Sequence, residues 1–161
     1  MQSKYCLIEP FQPKHIQAAI PLFTDPQVRE YLGGPIPPEM VLPRLTQWAQ
    51  SDEIYFAIMR KKDGAFLGVV DIVPHHEPGR MELSYLFLPQ YWGQGYAYDS
   101  IRRILAYCRE DLHMTQIVSE TQKRNTRSCN LLQRLGYTLE KELIRFGAEQ
   151  RLYCMDLSVS N

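Results

Sequence analysis

Apolar and polar residues alternate from residue 81 to residue 85, and residues 86–88 are apolar, a pattern that predicts a strand with one polar end. Glu82 begins the more polar of its two faces. At residues 101–112 the apolar positions recur every three to four residues instead, which predicts an amphipathic helix. One proline and two glycines lie between the two elements. The pattern therefore predicts a strand, a glycine-containing loop and a helix in direct succession.

The loop between that strand and that helix has the features of an anion-binding site. Gly93 and Gly95 let the backbone approach a ligand without an intervening Cβ atom. The first turn of the following helix has N–H groups without intrahelical acceptors, and the positive end of the helix dipole lies there too. We expect a phosphate or pyrophosphate to bind here. A tight strand-to-helix turn without a ligand is the alternative, because glycines are common in such turns.

Two other glycine-rich phosphate loops fit this stretch less well. A P-loop requires Gly-Lys-Ser/Thr, and no such triplet follows Gly95. The dinucleotide fingerprint requires a third glycine after the pair formed by Gly93 and Gly95, and the chain lacks it. Neither motif describes this loop.

The other segments predict further strands and helices by the same criteria. An Asp-Gly pair between two apolar runs predicts a β-hairpin at residues 63–64. Proline in the first turn and glycine after the last turn mark helix boundaries, and Pro21 is expected to bend or end the first helix. Strands are predicted at residues 4–9, 54–59, 66–73, 116–120, 137–144 and 151–157. Helices are predicted at residues 13–23, 25–32, 38–50 and 125–135.

Length and charge limit the functions of the chain. Its 161 residues are enough for one domain with a sizeable core, so we expect a single domain over residues 1–161. Its 18 basic and 18 acidic residues balance, which gives no global attraction for nucleic acid or for an acidic membrane. The apolar runs are shorter than a bilayer span, and the first residues lack a signal-peptide pattern. We expect a cytoplasmic protein.

The cysteine and histidine residues form no recognisable metal motif. Four cysteines lie far apart in apolar segments and are expected to be reduced packing residues: Cys6, Cys108, Cys129 and Cys154. His75 and His76 precede Glu77, but neighbouring residues point in different directions and the sequence offers no further ligand cluster. We expect a solvated turn there and no metal.

The string Pro-Gln-Tyr-Trp-Gly-Gln-Gly-Tyr-Ala at residues 89–97 resembles the acyl-CoA loop of the GNAT N-acetyltransferases, in the branch of the RimJ and RimL ribosomal-protein acetyltransferases. The superfamily pattern is Gln or Arg, two residues, Gly, one residue, and then Gly or Ala. It matches here as Trp92, Gly95 and Ala97. Trp92 departs from Gln or Arg, as is usual in this branch.

A second motif supports the same resemblance. Asn125 and Ser128 open a predicted helix that ends at Gly136 and Tyr137, which is similar to the GNAT pattern Asn-x-x-Ser leading to Gly-Phe. The ordinary role of Asn125 would be that of a helix N-cap. The Asp-Pro-x-Val sequence from Asp25, followed by Tyr-Leu-Gly-Gly, resembles the N-terminal half of the RimJ/RimL type. The resemblance covers most of the chain.

The resemblance implies an α+β fold, the GNAT fold, with a central, mostly antiparallel, twisted sheet of about six to seven strands flanked by helices. It implies an N-acetyltransferase that transfers the acetyl group of acetyl-CoA to a primary amine in a ternary complex. The amine would be a protein N-terminus, an amino acid or a small amine, and the protein a monomer or homodimer without metal or nucleic acid. The residues implied to bind acetyl-CoA are Leu86, Phe87, Leu88, Trp92, Gly93, Gln94, Gly95, Tyr96, Ala97, Asn125 and Ser128.

Two residues are implied as catalytic. Glu82 stands where several GNAT enzymes carry a glutamate base, and its alternative role is to pair with Arg80 or to orient the backbone. Leu132 stands where many GNAT enzymes have a tyrosine proton donor, so Ser128 or water is expected to protonate the departing thiolate. The absence of that tyrosine leaves a second function class open, a regulatory module that binds acyl-CoA without turnover.

Overall fold

The computed structural model describes residues 1–158, and this range contains seven strands and five α-helices. The strands are β1 (Cys6–Pro10), β2 (Ile54–Arg60), β3 (Phe66–Pro74), β4 (Met81–Phe87), β5 (Gln116–Gln122), β6 (Thr138–Arg145) and β7 (Ala148–Asp156). The helices are α1 (Ile16–Ala19), α2 (Pro21–Thr24), α3 (Pro38–Gln50), α4 (Tyr96–Glu110) and α5 (Thr126–Leu135). Single 3-10 turns at Pro13–His15 and Pro89–Tyr91 precede α1 and α4.

The strands form a seven-stranded mixed sheet in the order β1-β2-β3-β4-β5-β7-β6. Antiparallel pairing joins β1 to β2, β2 to β3, β5 to β7 and β6 to β7. β4 and β5 pair in parallel, with Glu82 in register with Val118. The predicted α+β class and the mostly antiparallel sheet are therefore confirmed.

The chain folds as two compact units, and the first consists of Met1–Ile72 and Tyr85–Ser100. Its core packs α1, α2 and α3 against β2 and β3, and the fully buried members include Leu22, Leu45 and Ala57. Trp48 of α3 stacks on Tyr55 of β2, with ring centroids 4.6 Å apart. These two rings lie at the margin of that core.

The second unit consists of Val73–Ser84 and the described residues from Ile101 onward. Its buried apolar side chains come from five of its elements and include Leu83, Ile101, Ile104, Ile117, Val118, Leu132 and Leu152. Ser119 Oγ donates a hydrogen bond to the carbonyl oxygen of Leu83 at 2.7 Å, which joins β5 to β4. This unit therefore has its own core, and β4, the strand that carries Glu82, contributes Leu83 to it.

The helix predicted at residues 25–32 is wrong, because this segment forms successive turns. Asp25 Oδ1 accepts the N–H of Gln27 at 2.7 Å, which makes an Asx turn instead of a helix N-cap. At the other end, Arg29 Nε donates to the carbonyl oxygen of Gly34 at 3.0 Å. The side chain of Arg29 thus satisfies a carbonyl that a longer helix would have bonded internally.

Other boundaries follow the local chemistry that predicted them. The first predicted helix is divided before Pro21, because proline has no N–H to continue the helical ladder. Gly64 in the turn between β2 and β3 has a φ of 71°, as the Asp-Gly hairpin signal requires. Gly136 ends α5 with a φ of 102°.

All four cysteines are free thiols, and three of them are buried. Burial raises the pKa of the Cys108 thiol to about 12 and that of Cys6 to about 11, which keeps both in the unreactive thiol form. The prediction of packing residues is confirmed for Cys6, Cys108 and Cys129, whereas Cys154 is only half-buried. No helix within residues 1–158 is long and apolar enough to cross a membrane.

Candidate active site

The glycine loop connects β4 to α4 within the first unit. Gly93 has a φ of 72° and Gly95 a φ of 84°, a left-handed backbone that favours glycine. Among the described residues, no heavy atom lies within 4 Å of where a Cβ atom would stand at either position. Backbone conformation therefore requires these glycines, and the space beside them is open. α4 begins at Tyr96, directly after the loop.

Trp92 fastens the loop to the end of β4. Its Nε1–H donates to the carbonyl oxygen of Phe87 at 2.8 Å. Gln94 Nε2 donates to the carbonyl oxygen of Gln90 at 2.9 Å within the same loop. Side chains of the loop thus fix its shape from within.

The peptide groups at the end of β4 face two different edges of the strand. Leu88 N–H donates to the carbonyl oxygen of Leu67 at 2.9 Å. A Cβ atom added to Gly68 would stand 2.2 Å from the carbonyl oxygen of Leu86, which therefore also faces β3. Because successive residues of a strand point their peptide groups to opposite edges, the peptide of Phe87 faces away from β3.

Asp99, in the first turn of α4, is a buried charged residue that the sequence analysis missed. Its Oδ2 accepts the hydroxyl of Ser3 at 2.5 Å and the N–H of Tyr5 at 2.8 Å. A carboxylate at the start of a helix is also favoured by the helix dipole. Asp99 thus ties the first turn of α4 to the segment before β1. The sequence shows an acidic residue in the first turn of this helix. It does not show that Ser3 and Tyr5, far away in the chain, are its partners.

Glu82 is the second residue of β4, and its half-buried side chain lies in the second unit. Its Oε1 accepts the backbone N–H of Glu120 at 3.2 Å. Burial raises the pKa of Glu82, and the negative charge of Glu120 adds to the rise, whereas His75, the hydrogen bond and Arg145 oppose it. A carboxylate with raised proton affinity is suited to act as a general base near neutral pH. Arg80 pairs with Glu140 through two hydrogen bonds, of 2.7 and 2.8 Å.

The carboxylate of Glu120 is bound at both oxygens and is almost fully buried. Its Oε2 lies 3.2 Å from His75 Nε2, and its Oε1 accepts from Arg145 at 2.8 Å. His75 Nδ1 accepts the N–H of Glu77 at 3.2 Å, so Nε2 carries the proton and donates to Glu120. The expectation of a solvated turn is wrong for His75, because both of its ring nitrogens are satisfied inside the protein.

His75, His76 and Glu120 bring three possible metal-ligand atoms within 4.8 Å of one another. The two histidine rings lie 4.0 Å apart, so these neighbouring side chains share one direction, contrary to the sequence expectation. A metal on His75 Nε2 would require the proton on Nδ1, which faces the N–H donor of Glu77. Arg145 adds a positive charge beside Glu120. The three side chains are therefore better suited to a hydrogen-bonded cluster than to a metal site. That the protein binds no metal stays a prediction.

The head of α5 carries two of the predicted site residues. Asn125 Oδ1 accepts the N–H of Ser128 at 3.2 Å, so Asn125 is the N-cap of this helix. Ser128 is half-buried in the first turn. Leu132, at the position where a tyrosine donor is absent, is only 1% exposed and packs in the core of the second unit.

The sequence-predicted site residues fall into two sets. The first unit contains Leu86, Phe87 and Leu88 together with the loop and helix start, Trp92, Gly93, Gln94, Gly95, Tyr96 and Ala97. The second unit contains Glu82, Asn125 and Ser128. The first unit contains the glycine loop with open space beside it, and the second contains the Glu82 carboxylate, whose pKa burial raises. The roles of these residues stay predictions.

Comparison with known proteins identifies the family. A family model described as an acetyltransferase (GNAT) domain matches residues 6–138. The uncharacterized protein YkkB of Bacillus subtilis is 25% identical over 139 residues, which cover 82% of this chain and 80% of YkkB.

Solved structures show the same fold at lower identity. An acetyltransferase of the GNAT family from Bacillus anthracis has a TM-score of 0.88 at 18% identity, with 99% of both chains covered. The spermidine N-acetyltransferase from Vibrio cholerae, in complex with CoA and spermine, has a TM-score of 0.82 at 16% identity, with 96% of both chains covered. The family match spans most of the sequence, and the chain belongs to the GNAT family as an acetyl-CoA-dependent N-acetyltransferase.

Proposed function

We propose that this enzyme acetylates a primary amine by direct attack of the amine on acetyl-CoA in a ternary complex. The observation that carries the proposal is Glu82, a half-buried carboxylate of β4 whose pKa is raised by burial. An alkylamine is mostly protonated at neutral pH, so its acetylation needs a group that accepts the ammonium proton. The proposal gives that task to Glu82.

The glycine loop binds the acetyl donor in this proposal. Pyrophosphate oxygens accept N–H groups from the loop and from the first turn of α4, over residues Trp92, Gly93, Gln94, Gly95, Tyr96 and Ala97. The left-handed glycines and the open space beside them support this assignment. The pantetheine arm pairs with the end of β4, residues 86–88, where the N–H of Phe87 faces away from β3. The amide nitrogen of Asn125 hydrogen-bonds the same arm.

The reaction then proceeds through a tetrahedral intermediate. The carboxylate of Glu82 removes one proton from the ammonium group, and the neutral nitrogen forms a bond to the thioester carbonyl carbon. The carbon–sulfur bond breaks, and the thiolate leaves with the second proton of the nitrogen, delivered through Ser128 or water. Glu82 returns its own proton to solvent. Most of the acceleration comes from holding amine and thioester in contact, which replaces a bimolecular encounter.

The proposal extends to the branch of the GNAT family and to the amine that accepts the acetyl group. The Trp92 loop and the Asp-Pro-x-Val sequence from Asp25 support a branch like that of the RimJ and RimL ribosomal-protein acetyltransferases, which makes a protein N-terminus the first acceptor class to test. The similar fold from Vibrio cholerae is named for spermidine, which makes a polyamine the second acceptor class to test. We further propose that residues 1–161 act as one domain in the cytoplasm, as a monomer or homodimer.

Release of free thiol from acetyl-CoA tests the proposal. The acceptors are spermidine, a peptide with a free N-terminus, free amino acids and small alkylamines. We expect thiol release with at least one of them, and a loss of about 10²-fold in turnover for Glu82→Gln with unchanged CoA affinity. Glu142→Gln, an exposed carboxylate on β6, serves as the control. Tight CoA binding without thiol release for any acceptor would favour the non-catalytic module instead.

A further inference from the structure

The buried carboxylate of Glu120 has no part in the reaction as described so far. Its side chain is 6% exposed and meets groups from two other segments. His75, from the turn after β3, donates to one oxygen at 3.2 Å, and Arg145, the last residue of β6, donates to the other at 2.8 Å. His76 Nδ1 lies 3.8 Å from the first of these oxygens. A charge this enclosed is costly to bury unless it is paired, and Arg145 pairs it.

Glu120 is also the residue that contacts Glu82. Its backbone N–H donates to Glu82 Oε1 at 3.2 Å, so the side chains of two acidic residues originate beside each other on β4 and β5. Like charges in a partly buried site favour the protonated form of one of them. The positive charge of Arg145 opposes that effect on Glu82. The titratable and charged groups that face Glu82 from the neighbouring elements are therefore His75, Glu120 and Arg145.

A purely structural role for the Glu120–Arg145 pair explains less. The backbone of Glu120 is already fixed by the antiparallel ladder of β5 with β7, where Glu120 is in register with Leu152. Its N–H therefore stays directed at Glu82 without help from its own side chain. What the side-chain pair adds at Glu82 is electrostatic, a negative charge and a positive charge close to the candidate base.

We propose that Glu120 and Arg145 are positioning residues that act through Glu82, and that their opposite charges set the pH at which Glu82 accepts and releases its proton. The effect on acetylation rests on the proposed function, because it requires Glu82 to be the base. The effect on Glu82 itself does not depend on turnover. Neutralising Glu120 leaves the charge of Arg145 uncompensated, and neutralising Arg145 leaves that of Glu120, so the two changes act on Glu82 in opposite directions.

Carboxyl ¹³C NMR titration of the full chain, without ligand, measures this directly. The Glu82 resonance is assigned by its loss in Glu82→Gln. We expect its midpoint to move to lower pH in Glu120→Gln and to higher pH in Arg145→Gln. Arg145→Lys keeps the charge and should restore a midpoint near that of the wild type. Glu142→Gln and Lys141→Gln neutralise exposed charges on the same strand, β6, and should leave the midpoint unchanged.

The outcomes separate this inference from the proposed function. The inference is wrong if the Glu82 midpoint stays in place in Glu120→Gln and Arg145→Gln, or if it moves in the same direction in both. This holds whether or not the enzyme turns over. If Arg145→Gln does not fold, Glu120→Gln still decides, because Gln keeps an oxygen acceptor of the same shape. The acid limb of kcat/KM is measured with acetyl-CoA and spermidine or the peptide, whichever reacts faster. The Glu82 midpoint could shift in opposite directions in the two variants while the acid limb of kcat/KM stays in place. That result would support the inference and contradict Glu82 as the base.

Discussion

The Nε1–H of Trp92 donates to the carbonyl oxygen of Phe87 across 2.8 Å. This hydrogen bond joins the last residue of β4 to the residue just before Gly93, and so holds the loop in one shape. The superfamily pattern has Gln or Arg where this chain has Trp92. The tryptophan side chain bonds inward, within the protein, which gives the departure from the pattern a structural account.

Trp92→Phe should weaken CoA binding while leaving the fold intact. Phenylalanine keeps an aromatic ring but removes the donor to Phe87, so the loop is less fixed before the ligand arrives. We expect a loss of about 1 kcal/mol, or roughly fivefold in Kd, the usual contribution of one such hydrogen bond. Calorimetry with CoA measures it, and Trp48→Phe, at the margin of the core of the first unit, is the matched control. Equal CoA affinity in both variants would mean that the bond does not organise the loop.

Gly95→Ala and Gly64→Ala should strain the backbone equally and differ in CoA binding. Both glycines have positive φ, of 84° and 71°, with open space around the missing Cβ, so each substitution costs about 1 kcal/mol of stability. Only Gly95 lies in the proposed pyrophosphate loop, so only its substitution should lower CoA affinity. Gly95→Glu adds a like charge beside the pyrophosphate and should weaken binding by several kcal/mol. Unchanged CoA affinity in a folded Gly95→Glu protein would remove the loop from the site.

Elements whose signals are local were predictable from the sequence. The Asp63-Gly64 hairpin, the proline start of α3 and the Gly136 end of α5 each depend on hydrogen bonds and φ angles of residues that are adjacent in the chain. The segment from Asp25 carries helix-start residues that also start turns. In the structure Asp25 starts an Asx turn, and the side chain of Arg29 bonds the carbonyl oxygen of Gly34. Residue types that suit both a helix start and a turn did not separate the two.

The charged clusters were beyond the sequence for a different reason. His75 and Arg145 reach Glu120 from 45 and 25 residues away in the chain. Asp99 meets the hydroxyl of Ser3 across 96 residues. Hydrophobic periodicity predicts which face of an element is buried, but it carries no information on which polar side chains from distant segments meet there.

Asp99→Asn should destabilise the protein by about 2 kcal/mol. The change removes the charge from three hydrogen bonds, donated by Ser3, Lys4 and Tyr5 to the two carboxylate oxygens, and leaves an amide with only one oxygen as acceptor. Asp63→Asn is the matched control, because its ion pair with Arg60 is exposed and exposed pairs contribute little. Urea unfolding measures both variants. Equal midpoints would mean that Asp99 does not anchor the start of α4.

Leu132→Tyr should destabilise the enzyme without restoring a proton donor. Leu132 is 1% exposed, so a larger side chain would overpack the core by about 1 to 3 kcal/mol. Thermal unfolding and thiol release are measured together, with Leu139→Tyr, at an exposed position of β6, as the control. A stable Leu132→Tyr protein with higher turnover would contradict this prediction.

Ser128→Ala should reduce turnover less than Glu82→Gln does. If Ser128 delivers the proton to the departing thiolate, a water molecule can take its place once the hydroxyl is removed. The N-cap bond from Asn125 to the backbone N–H of residue 128 is kept in the variant, so α5 should remain intact. Steady-state kinetics with acetyl-CoA compare the two variants. A larger loss for Ser128→Ala would make Ser128 the more important of the two groups.

Glu82→Gln should raise stability at neutral pH even as it lowers turnover. Burial holds the pKa of Glu82 above its ordinary value of 4.5, so folding disfavours the charged carboxylate. Between these two values the native state binds more protons than the unfolded state. The stability contributed by Glu82 is therefore complete below the ordinary pKa and is lost as the pH rises through the raised one. Glutamine carries no charge. The Glu82→Gln variant should therefore be as stable as the wild type in acid, and more stable than the wild type above the raised pKa of Glu82.

Thermal unfolding over a range of pH measures this advantage, and Glu142→Gln provides a control of opposite sign. Lys123 and Arg151 lower the pKa of Glu142, so its charge stabilises the native state above its ordinary pKa. Replacing Glu142 should lower Tm only slightly at neutral pH, because its ion pairs are exposed, whereas replacing Glu82 should raise it. A Tm difference between Glu82→Gln and the wild type that stays constant with pH would mean that folding does not penalise the charged form of Glu82. The carboxylate would then lack the raised proton affinity on which its role as base depends.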